Sequence, residues 1–167
     1  TYKRIVEKII AEHPGERLFI DLYNWGEPVL HKQLSEIIRF TKERGIGVGI
    51  SSNLNAFPNM RDVVRAAPTY LRISLSGNRN ETYQTTHRGG DINVVKANMH
   101  LLRHHLDETG SDTIVQVGFH VYRTNFPDDY RMIRRLCYEL GFGFSPLLAR
   151  YYPLENVIKL AGGAPAP

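Results

Sequence analysis

Hydrophobic spacing switches repeatedly between helical and strand type along this chain, and that alternation limits the fold more than any other feature. Ile5, Val6, Ile9 and Ile10 recur at helical spacing, and His13-Pro14-Gly15 ends that helix. Arg17 to Tyr23 reads as a strand, Gln33 to Arg44 as a helix closed by Gly45, and Ile46 to Ser52 as a second strand. Pro58 suits a helix start, with Val63, Val64, Ala66 and Ala67 following before Pro68 stops it. Tyr70 to Ser76 predicts a third strand. A helix follows over Asp91 to Leu106, with Val95, Met99, Leu102 and Leu106 on one face, then a fourth strand over Asp112 to Tyr122. Pro127 to Leu140 predicts a helix and Gly141 to Leu147 a fifth strand. Such alternation argues for an α/β fold of parallel strands joined by right-handed crossovers, with helices outside. An open doubly wound sheet stays open as an alternative. A complete or partial (β/α) barrel fits better, and a chain that opens on a helix implies that the barrel's first strand is missing.

At 167 residues the chain has the size of one domain and can bury a real core. Residues 1–150 are expected to form it, with 151–167 as a C-terminal extension or a linker to a further domain. Every apolar stretch is interrupted by charges, so no membrane span is expected, and no signal-peptide core follows Thr1. A cytoplasmic location is the expectation. Twenty-one basic against seventeen acidic side chains leave a net charge of +4. The charges are scattered, with no basic block or stripe of stacking aromatics, so they read as solvated surface and no nucleic-acid partner is expected. Cys137 is the one cysteine, which excludes an internal disulfide and any self-contained cysteine-rich metal site. It falls on the inward stripe of its helix with Ile133 and Leu140, a packing position.

Parallel α/β folds gather functional groups at the C-terminal ends of their strands. Here those ends are polar or contain glycine: Asp21 to Pro28, Ser51 to Asn55, Ser74 to Asn78 and His120 to Asn125. The sharpest is Trp25-Gly26-Glu27-Pro28. A glycine after a strand lets the backbone approach a ligand, Glu27 offers a carboxylate, and Pro28 stiffens the turn. The same residues also suit a plain turn that caps a helix with a favourable acid.

Taken together and in order, LYNWGEPVLH, GIGVGISSNLN, YLRISLSG and THRGGDINVVKANMHLL resemble the radical S-adenosylmethionine superfamily. The chain is similar to members with SPASM-type auxiliary-cluster C-terminal domains, such as peptide-modifying maturases, over about Thr1 to Leu147. The resemblance implies that Gly26, Glu27 and Pro28 correspond to the Gly-Gly-Glu motif that holds the cofactor's methionyl amino group, with Trp25 in place of its first glycine. It places Ser52 and Asn53 at the cofactor's border and Ser74 on the ribose. Ser76 stands where the family has an aspartate. Arg88 matches an arginine that grips the methionyl carboxylate, a pairing guanidinium makes well. Val121 and Tyr122 would border the adenine through backbone groups.

The resemblance further implies reductive cleavage of S-adenosylmethionine at a [4Fe–4S] cluster to a 5′-deoxyadenosyl radical, which abstracts hydrogen from a small-molecule or peptide substrate. An electron donor such as flavodoxin or ferredoxin is the implied partner. The family's Cys-x₃-Cys-x₂-Cys loop is absent, and iron–sulfur clusters need thiolates. The loop normally precedes the first helix, so truncation is the simplest expectation, and the chain as given generates no radical. The alternative is a non-catalytic α/β scaffold that binds a partner or small ligand.

Four further residues are read conservatively. His100 and His104, four apart on a helix, could share a metal, but exposed surface histidines are the preferred reading. His120 alternates with Phe119 and Val121, and a satisfied core histidine is preferred over one facing the barrel interior. Asp21 lies in a strand expected to be buried, so either a cavity-lining role or a structural salt bridge is expected. Tyr151-Tyr152-Pro153 is read as packing or a docking surface.

Overall fold

The computed structural model describes residues 1–148. The domain boundary expected at 150, the extension at 151–167 and the Tyr151-Tyr152-Pro153 segment lie outside the described residues. Helix α1 (Tyr2–Glu12) leads into β1 (Phe19–Asp21), a 3₁₀ turn (Pro28–Leu30), α2 (Leu34–Lys42), β2 (Gly47–Ser52), α3 (Met60–Arg65) and β3 (Tyr70–Leu75). A short α4 (Asn80–Tyr83), a long α5 (Ile92–Thr109), β4 (Ile114–Val121), α6 (Asp128–Glu139) and β5 (Gly143–Leu148) complete it. All predicted strands and helices are present. Helix α3 starts two residues after the expected Pro58, and the 3₁₀ turn and α4 are additions too short to show a period.

The five strands are all parallel and lie in the order β1-β2-β3-β4-β5. A doubly wound sheet reverses strand order where its crossovers change sides. Sequential order has no such reversal, so every right-handed crossover falls on the same side. The helices therefore cover one face, and the sheet is the wall of a partial barrel.

Burial alternates accordingly. Val48 and Ile50, then Leu71, Ile73 and Leu75, then Val117 and Phe119 are fully buried on the helix side. They meet Ile38 of α2, Val63 of α3, Val95, Met99 and Leu102 of α5, and Ile133 of α6. Each such side chain contributes about 1.5–3 kcal/mol on burial. Cys137 packs in this core with its thiol pushed up to about 12 by burial, a small apolar filler rather than a nucleophile.

The alternate residues face the inside of the barrel and are mostly polar or glycine, with Phe19 and Leu147 as apolar exceptions. On β2 these are Gly47 and Gly49. A Cβ at Gly47 would lie 2.4 Å from the Phe19 ring, and one at Gly49 would lie 2.1 Å from Asp21 Oδ1. The two glycines let side chains of β1 lie flat across β2. Asp21 is exposed on this inner face, against the expectation of a buried strand, because β1 is the outer strand of the described sheet. No salt bridge to it is found among the described residues, and this removes the structural ion-pair reading.

Helix α5 is bounded by the chemistry its sequence announces. Asp91 caps it by accepting from Asn93 N–H at 2.9 Å, and that bond holds its carboxyl below the usual range. Gly110 closes it at φ 62°, a left-handed conformation that suits glycine.

Buried Asp129, at the start of α6, ties that helix to the segment after β3. It accepts from Asn78 N–H at 3.0 Å and from the Thr82 hydroxyl, and pairs with Arg79 at 3.2 Å. Removing the carboxylate strands the buried Asn78 amide at about 1–3 kcal/mol and loses the Arg79 pairing, while the Thr82 hydroxyl keeps the Arg79 carbonyl as an acceptor. Asp129→Ala is expected to lower unfolding free energy by about 3 kcal/mol, measured by urea denaturation, with Asp129→Asn recovering part of the loss.

Candidate functional site

The C-terminal ends of β1, β2 and β3 meet at one rim. Glu27 stands in the loop between β1 and the 3₁₀ turn, and its Oε2 accepts from Asn53 N–H at 3.0 Å, joining the first two strand ends. Its other oxygen, Oε1, is buried and has no hydrogen-bond partner among the described residues. Buried carboxylate oxygens are ordinarily paired, so this free acceptor marks a place where a donor is wanted. Gly26 is exposed with open space around it, and Pro28 begins the turn that carries Val29 into the core. Trp25 is fully exposed.

Asn53 and Asn55 build the next part of the rim. Asn53 Oδ1 accepts from the Asn55 backbone at 2.9 Å and from Asn55 Nδ2 at 3.1 Å. Asn55 Nδ2 donates to the Tyr83 hydroxyl at 2.7 Å, and Asn55 Oδ1 accepts from Asp91 N–H at 2.9 Å. This one carboxamide thus stitches β2 to α4 and to the start of α5. Gly90 permits the close approach, since a Cβ there would meet Asn55 Oδ1 and Tyr83 Cε1 at 2.8 Å. Burial raises the Tyr83 phenol, and the charge of Glu27 adds to the rise while the hydrogen bond from Asn55 opposes it.

Arg88 is exposed and lines an open cleft of ≈ 380 Å³ with Asn53, Asn55, His87, Gly89 and Gly90. Glu27 lines a neighbouring open cleft with Asp21, Tyr23, Gly26 and Pro28, and Asn53, whose amide Glu27 accepts, is the residue that links it to the Arg88 cleft. Ser74 is half-buried on the inner face of β3, opposite Gly118 of β4. Ser52 lies elsewhere in role: it is buried, and its hydroxyl accepts from Leu54 N–H at 3.0 Å, holding a turn in which Leu54 has φ 56°. Val121 packs partly against the core. The Tyr122 amide donates to Asn125 Oδ1 at 2.8 Å, so that backbone donor is already engaged.

Asn55 and Asn125 are the residues that sequence reasoning left without a role. Asn125 is buried and donates to the carbonyls of Ser76 at 2.6 Å and His120 at 2.8 Å, fixing the ends of β3 and β4 together. Both asparagines close polar strand ends already noted in the sequence, which was the available signal.

Two histidines flank the rim. His87 stacks on Tyr83 with ring centroids 4.4 Å apart, and its Nδ1 lies 2.9 Å from Ser76 Oγ. His120 faces the barrel interior half-buried, not the core as expected, because Phe119 takes the helix-side position. The histidine grouping on α5 is His104, His105 and Glu108, not His100 with His104. Glu108 is already held by the Arg61 guanidinium, and His104 is exposed. A further cleft of ≈ 340 Å³ opens at the opposite end of the sheet, between Tyr70, Arg103, Ile114 and Gly143. Its lining is mainly strand backbone and apolar side chains.

Burial lowers the affinity of both rim imidazoles for protons, helped at His87 by His120 and at His120 by Arg72. Their folded pKa values lie below the ordinary ~6.5. The unfolded chain then binds more protons as pH falls below ~6.5, and stability drops through that window. Replacing His87 by Gln is expected to make this drop shallower between pH 7 and 5, read from urea midpoints across pH.

No protein-family model and no curated protein matches the chain. Among solved structures it is similar to TYW1 with a lysine–pyruvate adduct bound, at 18% identity and TM-score 0.60, covering 97% of this chain and 58% of that one. It is also similar to archaeal TYW1, at 19% identity and TM-score 0.54, with the same coverages. A third is anSMEcpe with bound AdoMet, at 11% identity and TM-score 0.63, covering 99% of this chain and 53% of that one. The chain thus spans little more than half the length of these neighbours. The parallel partial barrel expected from the alternation of helix and strand is the fold found, and it is shared with these neighbours.

Proposed function

We propose that this chain is the S-adenosylmethionine-binding portion of a radical enzyme acting on a small-molecule or peptide substrate. The observation that carries the reading is the buried, unpaired Oε1 of Glu27 at the rim, with Asn53 and the Arg88 cleft beside it. An α-amino acid end presents an ammonium and a carboxylate together. Glu27 Oε1 satisfies the ammonium, and Arg88 has the fork of donors that a carboxylate accepts. The residues present therefore fit the cofactor.

When bound, S-adenosylmethionine cleaved at a [4Fe–4S] cluster supplies a 5′-deoxyadenosyl radical for hydrogen abstraction. The residues of this chain bind and orient; none is asked to move a proton. Glu27 holds the amino group, Arg88 the carboxylate, and Ser74 faces the side where a ribose would rest. Gly26 lets the loop approach the ligand, and Pro28 fixes the direction in which the carboxylate leaves it. Ser52 acts at one remove, by holding the turn that presents Asn53. Val121 and Tyr122 border the adenine with what their backbone leaves free, the Tyr122 amide being engaged by Asn125. The cluster itself does not fit these 167 residues. Cys137 is the one thiol, and burial in the core keeps it protonated. Any cluster ligands, and a docking site for a donor such as flavodoxin or ferredoxin, belong to protein beyond this sequence.

Glu27→Gln tests the reading with little risk to the fold, because the new amide oxygen still accepts from Asn53 N–H. A charge-assisted hydrogen bond is worth about 1.5–3 kcal/mol, so S-adenosylmethionine should bind about ten- to a hundredfold more weakly by calorimetry. Unchanged affinity would remove Glu27 from the site and this function with it.

A further inference from the structure

Among the described residues, the inner wall of the barrel carries a cation, Arg72, without an anion. Arg72 sits at the middle of β3, half-buried, two residues before Ser74 on the same face. Its side chain crosses to β4 and occupies the space above Gly118: a Cβ there would lie 2.7 Å from Arg72 Nε and 3.0 Å from one terminal nitrogen. The neighbours are His120, which the Arg72 charge helps to keep neutral, and Leu147, which closes the far side of Gly118. Gln116, opposite Arg72 in the ladder, has its side-chain oxygen taken by the Tyr70 hydroxyl. Among the described residues no carboxylate pairs with Arg72 and none of its five N–H donors finds an acceptor. Asp21, the acid of this face, lies two strands away over Gly49.

A half-buried guanidinium without a counter-charge has given up part of its hydration, which a bound anion would replace. The sequence offers shorter solutions at a strand centre, yet Gly118 clears room for the longest cation. We propose that Arg72 is a binding residue for a carboxylate of the substrate, held inside the barrel between Gly118 and His120. A carboxylate fits better than a phosphate: one guanidinium and a neutral imidazole balance one negative charge, and no lysine or second arginine of the described residues converges there. The identification of the occupant as substrate rests on the rim being the cofactor site; the anion site itself stands on Arg72, Gly118 and His120.

The test uses the full ¹⁵N-labelled chain titrated with sodium propionate, with propionamide as the uncharged control. The expected result is a saturable shift of the Arg72 Nε–H signal with propionate alone, lost in Arg72→Met. Gly118→Ala gives a second route, since its methyl displaces only the flexible end of Arg72, and propionate should bind at least fivefold more weakly. An Arg72 signal indifferent to propionate, or tighter binding of inorganic phosphate than of propionate, overturns the proposal. S-adenosylmethionine affinity, measured in parallel, should be the same in Arg72→Met as in the parent. A tenfold loss there would assign Arg72 to the cofactor's own carboxylate and overturn the substrate reading. If the parent binds propionate at Arg72 but not S-adenosylmethionine, the function proposed above fails while the carboxylate site is upheld.

Discussion

A parallel sheet whose crossovers all fall on one side has only one greasy face, and most of what is distinctive in this molecule follows from that. The covered face is a continuous apolar layer from Val48 to Phe119. The other face has no helices to pack against, so its residues answer to a different requirement: they line an open inner wall. Glycine at positions 47, 49 and 118 is the structural expression of this. At each, a neighbouring strand's side chain lies where a Cβ would have been. The wall is thereby kept thin at its centre, and Phe19, Asp21 and Arg72 are laid along it instead of across the lumen.

The rim is stiffened by side-chain amides. Asn53 and Asn55 tie β2 to α4 and α5, and Asn125 ties β3 to β4. Loops at strand ends cannot satisfy their backbone groups through a ladder, so side chains with both a donor and an acceptor do it for them. With so many groups satisfied, the lone oxygen of Glu27 stands out. Its neighbour Oε2 shows that the carboxylate is well placed and held, so the orphan is not a matter of poor packing. Leaving a buried acceptor open costs about 1–3 kcal/mol, a penalty that a ligand donor offsets on binding. The ≈ 340 Å³ cleft at the other end of the sheet also holds an unpartnered buried atom, Arg103 Nε, but no carboxylate lines it.

What the sequence made legible was whatever depends on local period. Alternation in YLRISLS shows directly which residues of β3 face the helices, and the stripe Val95, Met99, Leu102, Leu106 shows the same for α5. Turn chemistry was legible too, in Gly45, whereas the cap at Gly110 was not singled out and the helix runs three residues past the expected Leu106. What escaped was decided between distant segments. His120 was read as core because Phe119 and Val121 flank it; period 2 says which residues share a face but not which face is inside. Asp21 was read as buried because its run is apolar, but an outer strand buries less than a central one. Ser52 looked like a rim ligand, yet its hydroxyl is spent on Leu54. Asn55 and Asn125 lay within the polar segments already singled out, but a carboxamide that joins segments 28 or 49 residues apart has no local signature.

The spacing along β3 gives the interior an order. Ser74 and Arg72 share a face, two residues apart, so Arg72 lies roughly 7 Å deeper than Ser74 along the strand. A ligand held at the rim by Glu27 and Arg88 would occupy the mouth, and a second molecule tethered at Arg72 would lie beneath it with its far end directed upward. His120, at the C-terminal end of β4, borders the space between the two levels. Being neutral, it adds no charge of its own, so Arg72 would be the group that sets how a carboxylate stands in the barrel, while Glu27 and Arg88 at the mouth would together take a group that carries both an ammonium and a carboxylate.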